Sequence, residues 1–288
     1  MDLTAELLDW YAGNARELPW REPGTTPWAV LVSEVMLQQT PVARVAPVYS
    51  AWLGRWPTPA DLAADSVGAA VRMWAKLGYP RRAMRLHQAA VVITDRYGGV
   101  VPDTVEQLLE LPGIGDYTAR AVCAFAFGQR QPVVDINVRR VLARLVVGQG
   151  SAGPPSTTRD LAAVAALLPP DDATAARLSI ALMELGATVC TATSPACGRC
   201  PVANGCAWRL AGSPLYEGPT VRPQRFAGTD RQVRGLLMDV LRGTDRPVTI
   251  VDLGAAWHEP VQRARALDSL IADGLLDPLP DGRFALPG

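Results

Sequence analysis

Apolar residues recur every three or four positions along most of the first 210 residues. That spacing predicts helices over 27–39, 41–55, 66–77, 81–97, 104–111 and 118–128, then over 135–145, 156–168 and 172–185. An amphipathic helix opens the chain at 1–11, with Asp2, Glu6 and Asp9 as its acidic positions. Short Gly/Pro turns separate the segments: Trp56-Pro57-Thr58-Pro59, Gly78-Tyr79-Pro80, Gly98-Gly99 and Leu111 to Gly115. Strand signals are scarce, so the body reads as all-α. Residues 211–228 are rich in Pro and Gly and lack periodicity, as a linker does. Beyond them, helices are expected at 231–242, 250–256 and 260–272, with hairpin strands at 274–278 and 283–286 around Pro280-Asp281-Gly282. Three helices and a wing make a small winged-helix-like module at 229–288; a generic helical domain is the alternative.

The 288 residues suffice for two or three compact domains. No apolar run is long enough to span a membrane, and the N-terminus has neither signal-peptide nor basic transit character. A reducing, cytoplasmic setting is therefore expected. Lys plus Arg and Asp plus Glu number 28 each, a balance that argues weakly against a nucleic-acid ligand. Distribution changes the picture. Arg72, Lys76, Arg81, Arg82, Arg85 and Arg96 crowd one stretch with Asp95 as the lone acid, and Arg139, Arg140 and Arg144 form a second cluster. Such stripes track phosphates or simply solvate a helix face. Lys76 is the only lysine.

Chemistry concentrates at four places. Four of the five cysteines, Cys190, Cys197, Cys200 and Cys206, follow C-x6-C-x2-C-x5-C. In a reducing compartment this is a metal site rather than a disulfide framework, and spacing leaves zinc and iron–sulfur both open. Cys123 reads as a buried apolar filler. Leu111-Pro112-Gly113-Ile114-Gly115 between two helices makes a hairpin whose bare amides suit a phosphate, or an ordinary glycine-capped turn. Asp135 opens a helix after Pro132-Val133-Val134; it is a plain N-cap, or a carboxylate placed to stabilise positive charge on a deoxyribose. Glu34 lies in the mostly apolar Val32 to Leu37 run. It is solvent-facing, or else buried and suited to hold a proton as a general acid.

Together the hairpin, Asp135 and the four cysteines resemble the endonuclease III superfamily of helix-hairpin-helix base-excision glycosylases. Ser33-Glu34-Val35-Met36-Leu37-Gln38-Gln39-Thr40 is similar to the signature of its adenine-specific, MutY-type branch. Leu18-Pro19-Trp20-Arg21, Leu77-Gly78-Tyr79, Val134-Asp135-Ile136-Asn137-Val138 and Glu184-Leu185-Gly186-Ala187 match the same branch. The resemblance covers about residues 7–208. It implies a two-lobed helix-hairpin-helix glycosylase fold with a [4Fe-4S] cluster rather than zinc. The cluster lobe would comprise 1–23 and 133–210, and a six-helix barrel 24–132.

Residue by residue, the resemblance makes Glu34 the acid that protonates a flipped adenine and Asp135 the carboxylate facing the sugar cation. Tyr117 and Asn137 support them, and Trp20, Arg21 and Glu184 line the adenine pocket. Gln39 and Tyr79 enter the base stack, and Gln38, Thr40, Leu111, Gly113 and Gly115 belong to the DNA-binding segments. The implied substrate is duplex DNA with adenine opposite 8-oxoguanine or guanine, acted on by a monomer at the nucleoid. Bifunctional relatives carry a lysine where Asp116 and Tyr117 stand, so a monofunctional hydrolase is expected.

Two departures stand out. Pro80 replaces a second tyrosine, and the roughly 60 residues after the linker are too few for the Nudix-like β domain of well-known members. Arg222, Arg225, Arg231 and Arg234 suggest that the tail touches DNA instead. Two other readings compete: a thymine or uracil mismatch glycosylase on the same scaffold, which would not need Glu34, and a non-catalytic iron–sulfur DNA-binding regulator, which would need neither carboxylate.

Overall fold

The computed structural model describes residues 2–216, 218 and 225–288; Arg222, one of the four tail arginines, lies outside them. The helices are α1 (Leu3–Asn14), α2 (Pro27–Leu37), α3 (Val42–Arg55), α4 (Pro59–Ala63), α5 (Val67–Met73), α6 (Arg81–Tyr97), α7 (Val105–Leu109), α8 (Asp116–Phe127), α9 (Ile136–Leu142), α10 (Thr157–Leu167), α11 (Asp172–Thr188) and α12 (Ala207–Leu210). After the linker come α13 (Asp230–Arg242), α14 (Ile250–Ala256) and α15 (Pro260–Ala272), then β1 (Asp277–Pro278) and β2 (Phe284–Ala285). Among the described residues no helix is long and apolar enough to cross a membrane.

Side-chain caps explain most of the helix starts. Asp2, Ser66, Asp135 and Asp171 each accept amide hydrogens from the first turn that follows, satisfying donors the helix leaves free. Helix α4 was invisible to periodicity because one turn is too short to show a stripe. Its signal was local: Pro59 at N1 and a capping box in which Thr58 and Asp61 bind each other's amides. Helix α9 runs on into a π-turn, Ala143–Val147, rather than stopping at Leu145.

Contacts divide the chain into two compact units. The first holds the described residues within Met1–Val30, Asp103–Leu109 and Gly115–Val221. Its main core gathers Leu7 of α1, Val138, Val141 and Leu142 of α9, Val164 of α10, and Leu178, Leu182 and Leu185 of α11. Cys206 belongs to the same core, so the cysteine loop is rooted in it. The second unit holds the described residues within Leu31–Pro102, Glu110–Ile114 and Arg222–Gly288. Three indoles anchor it: Trp56 and Trp74 stand edge-on to Trp52, with centroids 4.6 and 5.6 Å away.

The C-terminal residues 229–288 form the module of three helices and a two-stranded hairpin. Strands β1 and β2 pair antiparallel, and Val248 bridges to Phe284 as a third short rung. It is bound to its own unit by a reciprocal exchange of arginines. Arg72 of α5 donates to the carbonyls of Leu241 and Arg242 at the end of α13 and of Thr244 just beyond it, at 3.4, 2.8 and 2.6 Å. Arg242 of α13 donates back to the Val71 carbonyl at 3.1 Å. Both exchanges satisfy carbonyls that a terminating helix leaves open. Further along, the Pro287 carbonyl takes the Gly68 amide at 2.7 Å, so close that a Cβ on Gly68 would stand 2.5 Å from that oxygen.

Replacing Arg72 by alanine removes a charged donor from three carbonyls together. Hydrogen bonds to charged groups contribute about 1.5–3 kcal/mol, toward the lower end at a partly exposed site. Urea denaturation is expected to show a loss of about 1–2 kcal/mol, and unchanged stability would show that this exchange does not hold the module.

Candidate functional site

The predicted site residues fall into two groups, one in each unit. In the second unit, α2 carries Glu34 on a wholly buried stretch: Leu31 to Met36 are all inside, and Glu34 itself is 5% exposed. A buried rather than solvent-facing glutamate is what the structure shows. Past the end of α2 the backbone does something unusual. Gln39 has φ +57°, and Tyr79, in the turn before α6, has φ +49°. A left-handed backbone without glycine costs on the order of 1–3 kcal/mol and collects at functional sites. Both side chains are exposed, Tyr79 by half. Thr40 is buried, and its hydroxyl donates to the Leu77 carbonyl at 3.0 Å, joining the two turns.

The hairpin residues separate by role. Leu111 is inside the core and anchors the turn, and the Ile114 amide closes it on the Leu111 carbonyl at 3.2 Å. Gly113 has φ +81°, and a Cβ there would lie 2.7 Å from Cβ of Arg85, so no other residue fits. Gly115 is the N-cap of α8, has open space where a Cβ would be, and offers no capping side chain. The hairpin thus leads straight into the positive end of α8 without a capping side chain from Gly115.

In the first unit, Asp135 caps α9. Its Oδ1 accepts the Val138 amide at 2.7 Å and its Oδ2 the Asn137 side-chain amide at 2.7 Å. Asn137 is held in turn by Arg140, whose Nη2 reaches Asn137 Oδ1 at 2.8 Å and the Gly186 carbonyl at 2.6 Å. The N-cap role of Asp135 is what the structure shows, and the capping geometry fixes the carboxylate. Burial pushes its pKa above the usual aspartate value, although the Val138 and Asn137 bonds and the Arg140 charge pull the other way. Gly186 explains part of the Glu184-Leu185-Gly186-Ala187 match: a Cβ there would sit 2.7 Å from Cβ of Asn137.

Glu184 is fully buried in α11. Arg16 reaches it through its backbone amide (3.1 Å), Nε (2.6 Å) and Nη2 (2.9 Å), and Arg21 Nη1 lies 3.0 Å from Oε2. Burial alone would raise the carboxyl, but the two guanidinia outweigh it and hold Glu184 below the ordinary glutamate value. Arg21, a predicted pocket residue, is thereby fixed beside the buried Trp20. Arg16 carried no sequence signal. Tyr117 lies on the first turn of α8.

The four cysteines are free thiols on one loop. Burial pushes the Cys200 thiol up to about 11, and Cys190, Cys206 and Cys197 push it the same way. A thiol so placed becomes a thiolate only beside a compensating cation, which is what a metal cluster supplies. Among the described residues no three His, Cys, Asp or Glu side chains are drawn together around a single ion. The loop is tied down by Arg144, which is buried beneath Trp208 at 4.9 Å. It donates to Cys190 Sγ (3.4 Å) and to the Thr191 (2.7 Å) and Ala192 (2.9 Å) carbonyls.

In the basic clusters Arg72, Arg82, Arg139, Arg140 and Arg144 are taken up within the protein, whereas Lys76, Arg81, Arg85 and Arg96 are exposed. Arg139 pairs with Asp160, while Arg140 and Arg144 bind carbonyls around the cysteine loop. In the other stretch, Arg72 and Arg82 bind carbonyls, Arg81 pairs with Asp273, Lys76 with Asp239 and Arg96 with Glu110. Of the tail arginines, Arg234 is taken up by Asp273 and Ser269, and Arg231 stacks on Phe226.

Comparison with known proteins adds the following. Residues 32–166 match the family model of the HhH-GPD superfamily base excision DNA repair proteins, and residues 190–206 match that of the iron–sulfur binding domain of endonuclease III. The chain is 58% identical over 283 residues to an adenine DNA glycosylase of Mycobacterium tuberculosis, covering 98% of this chain and 92% of that one. With an adenine DNA glycosylase of Mycolicibacterium smegmatis it shares 59% over 284 residues, covering 98% and 95%. A solved structure of a trapped covalent intermediate of endonuclease III with DNA superposes with a TM-score of 0.62 at 25% identity, covering 73% of this chain and 94% of that one. The cysteine loop therefore holds a [4Fe-4S] cluster, and the zinc alternative falls.

The close approach at Gly186 makes a direct test. An alanine there forces α9 and α11 apart at Asn137, and overpacking of this kind costs about 1–3 kcal/mol. The expected result is a lower melting temperature with the visible absorbance of the cluster retained.

Proposed function

The chain belongs to the adenine DNA glycosylase family, and from that premise we propose that Glu34 and Asp135 divide its chemistry between them. It is a base-excision repair enzyme that hydrolyses the N-glycosidic bond of adenine in DNA. The mismatch-thymine and regulator readings lose to that membership.

The observation that carries the reading is a carboxylic acid enclosed in an apolar helix, Glu34, in a chain whose Asp135 is rigidly fixed at a helix start. Adenine is a poor leaving group as an anion, so a proton must reach the base as the bond breaks. Glu34 is the donor. The sugar left behind gains oxocarbenium character and needs a negative neighbour that is already in place. Asp135 supplies it, held by Val138 and Asn137 so that little reorganisation is needed. Arg21, oriented by Glu184, and Trp20 frame the extruded base, and Tyr117 supports the sugar side. Neither reacting atom is accessible inside a duplex, so the base must leave the stack, at a cost of a few kcal/mol. Gln39 and Tyr79 fill the gap, and the hairpin around Gly113 and Gly115, at the positive end of α8, holds a backbone phosphate. Cys190, Cys197, Cys200 and Cys206 would hold the [4Fe-4S] cluster, which would fix the loop 190–206. Lys76, exposed and 3.6 Å from Asp239, is no candidate for a Schiff base, which supports a monofunctional hydrolase.

The natural substrate in this reading is adenine opposite 8-oxoguanine or guanine in duplex DNA. The enzyme works as a monomer in the cytoplasm at the nucleoid, since one chain carries every assigned residue.

Duplexes with A:8-oxoguanine, A:G, T:G and U:G pairs test the assignment. Only the adenine pairs are expected to be cut. Glu34→Gln should lose about 10²–10⁴-fold in single-turnover excision, the usual worth of a general acid; excision at the parental rate would refute the role. Asp135 must be ionised to act, so protonation abolishes its contribution. With its pKa raised, the acid limb of the rate profile should lie at a higher pH than an ordinary aspartate would set. Borohydride added during turnover is expected to trap no stoichiometric protein–DNA adduct.

A further inference from the structure

We infer that Arg82 is a positioning residue that sets both stack-entering turns and the end of the acid-bearing helix in a single register. The inference rests on the assignment of Gln39 and Tyr79 to the base stack and goes beyond it, because no resemblance or motif gave Arg82 a role.

Arg82 lies on the first turn of α6, three residues after Tyr79. Its Nη1 donates to the carbonyls of Val35 (2.9 Å), Met36 (3.1 Å) and Gln38. Its Nη2 donates to Thr40 Oγ1 (2.9 Å) and to the carbonyls of Leu77 (3.4 Å) and Gly78 (3.1 Å). The plane of the guanidinium is set by two rings, Trp74 at 5.2 Å and Tyr79 at 5.6 Å. The contacts have a pattern. Val35 and Met36 are the two residues after Glu34, and their carbonyls belong to the open last turn of α2. Gln38 and Thr40 flank Gln39 on either side. Leu77 and Gly78 immediately precede Tyr79. One cation therefore grips the chain on both sides of one left-handed residue and directly before the other.

Those two residues are where a grip is needed. A left-handed backbone at Gln39 or Tyr79 reverts to an ordinary conformation unless its surroundings oppose it. The Thr40 hydroxyl, 3.0 Å from the Leu77 carbonyl, joins the same two turns directly, so Arg82 completes a closed ring of contacts between them. Burial lowers the Arg82 pKa to about 10, which leaves the cation charged at neutral pH in a site where its bonds are strong. A lysine cannot substitute: one ammonium has three hydrogens and no plane, and cannot serve two turns and a helix end together.

If Arg82 acts by positioning, its loss matters when the enzyme must enter a stacked duplex and much less when the target base is already out. The test compares Arg82→Lys with the parent on two DNAs, a duplex with adenine opposite 8-oxoguanine and a duplex with the target adenine as an unpaired bulge. Base extrusion is read from 2-aminopurine fluorescence at the target position and excision from single-turnover rates. On the paired duplex both should fall about 10–100-fold, the scale expected for a misplacement of about 1 Å. On the bulge the rate should stay within about threefold, with cluster absorbance unchanged. Tyr79→Ala should reproduce the extrusion defect, and Arg82→Lys added to it should cost little more.

A parental rate on the paired duplex, or an equal loss on both DNAs, overturns the inference. If Tyr79→Ala and Gln39→Ala both leave extrusion intact, the base-stack assignment itself falls and takes this inference with it. If they impair extrusion and Arg82→Lys does not, only the positioning role falls. Should Arg82→Lys fail to fold, Thr40→Val removes one Arg82 acceptor and the direct link to Leu77. It must then show the same paired-versus-bulged split, and its absence overturns the inference equally.

Discussion

Guanidinium groups bound to main-chain carbonyls hold this protein's functional segments in place. A helix leaves its last carbonyls open, and a turn leaves nearly all of its own unpaired. Where such a segment also carries chemistry, no regular ladder is available to satisfy it. Arg82 does so for the end of α2 and the Tyr79 turn, Arg140 and Arg144 for the cysteine loop, and Arg72 for the end of α13. In each case one planar cation with several donors replaces several separate hydrogen bonds, which a point-like ammonium does poorly. A chain with a single lysine and many arginines is consistent with that use.

This also explains why the net charge misled only mildly and the charge pattern more. Arg72, Arg82, Arg139, Arg140 and Arg144 stood in two basic stretches that invited a phosphate-tracking reading. Sequence spacing records where an arginine leaves the backbone, not whether its five donors meet water, phosphate or carbonyl. The distinction depends on helix ends that are distant in the chain: Arg72 finds its partners some 170 residues away. By contrast, nearly every helix was legible, because apolar periodicity and local caps act within a few residues. Helix α4 escaped for the complementary reason, since a single turn has caps but no period. The hairpin was readable because Gly113 obeys a local steric demand. Arg16 was not, because its importance arises only once α11 brings Glu184 beside it.

Three carboxylates show how little residue type decides. Glu184 and Asp135 are both withdrawn from water, yet one is held below its ordinary pKa and the other above it. The difference is the number of cations in direct contact. Glu184 has two guanidinia on its oxygens, whereas Asp135 has a neutral amide and a backbone N–H, with Arg140 one step removed behind Asn137. A carboxylate already paired with arginines gains little from a new positive neighbour. One held only by neutral donors keeps more of its field for a positive charge that appears later. Glu184 thus orients Arg16 and Arg21, whereas the field of Asp135 is less compensated, and Glu34 is enclosed in the buried stretch of α2.

The same reasoning bears on the C-terminal module. Of the tail arginines, Arg234 is engaged by Asp273 and Arg231 by the Phe226 ring, and elsewhere in the module Arg265 pairs with Asp230 and Arg283 with Asp281. What the module presents to its own unit is more specific. Arg72 and Arg242 exchange caps on one side, while on another Asp273 takes Arg81, two residues beyond Tyr79 and next to Arg82. Lys76, three residues before Tyr79, pairs with Asp239 of α13. Exposed ion pairs of this sort contribute little singly. Here they bracket a turn whose backbone is already strained, so even a small restoring force acts where conformational freedom would be most damaging. The module's acidic side chains Asp239 and Asp273 are therefore placed to steady the Tyr79 turn from both of its ends.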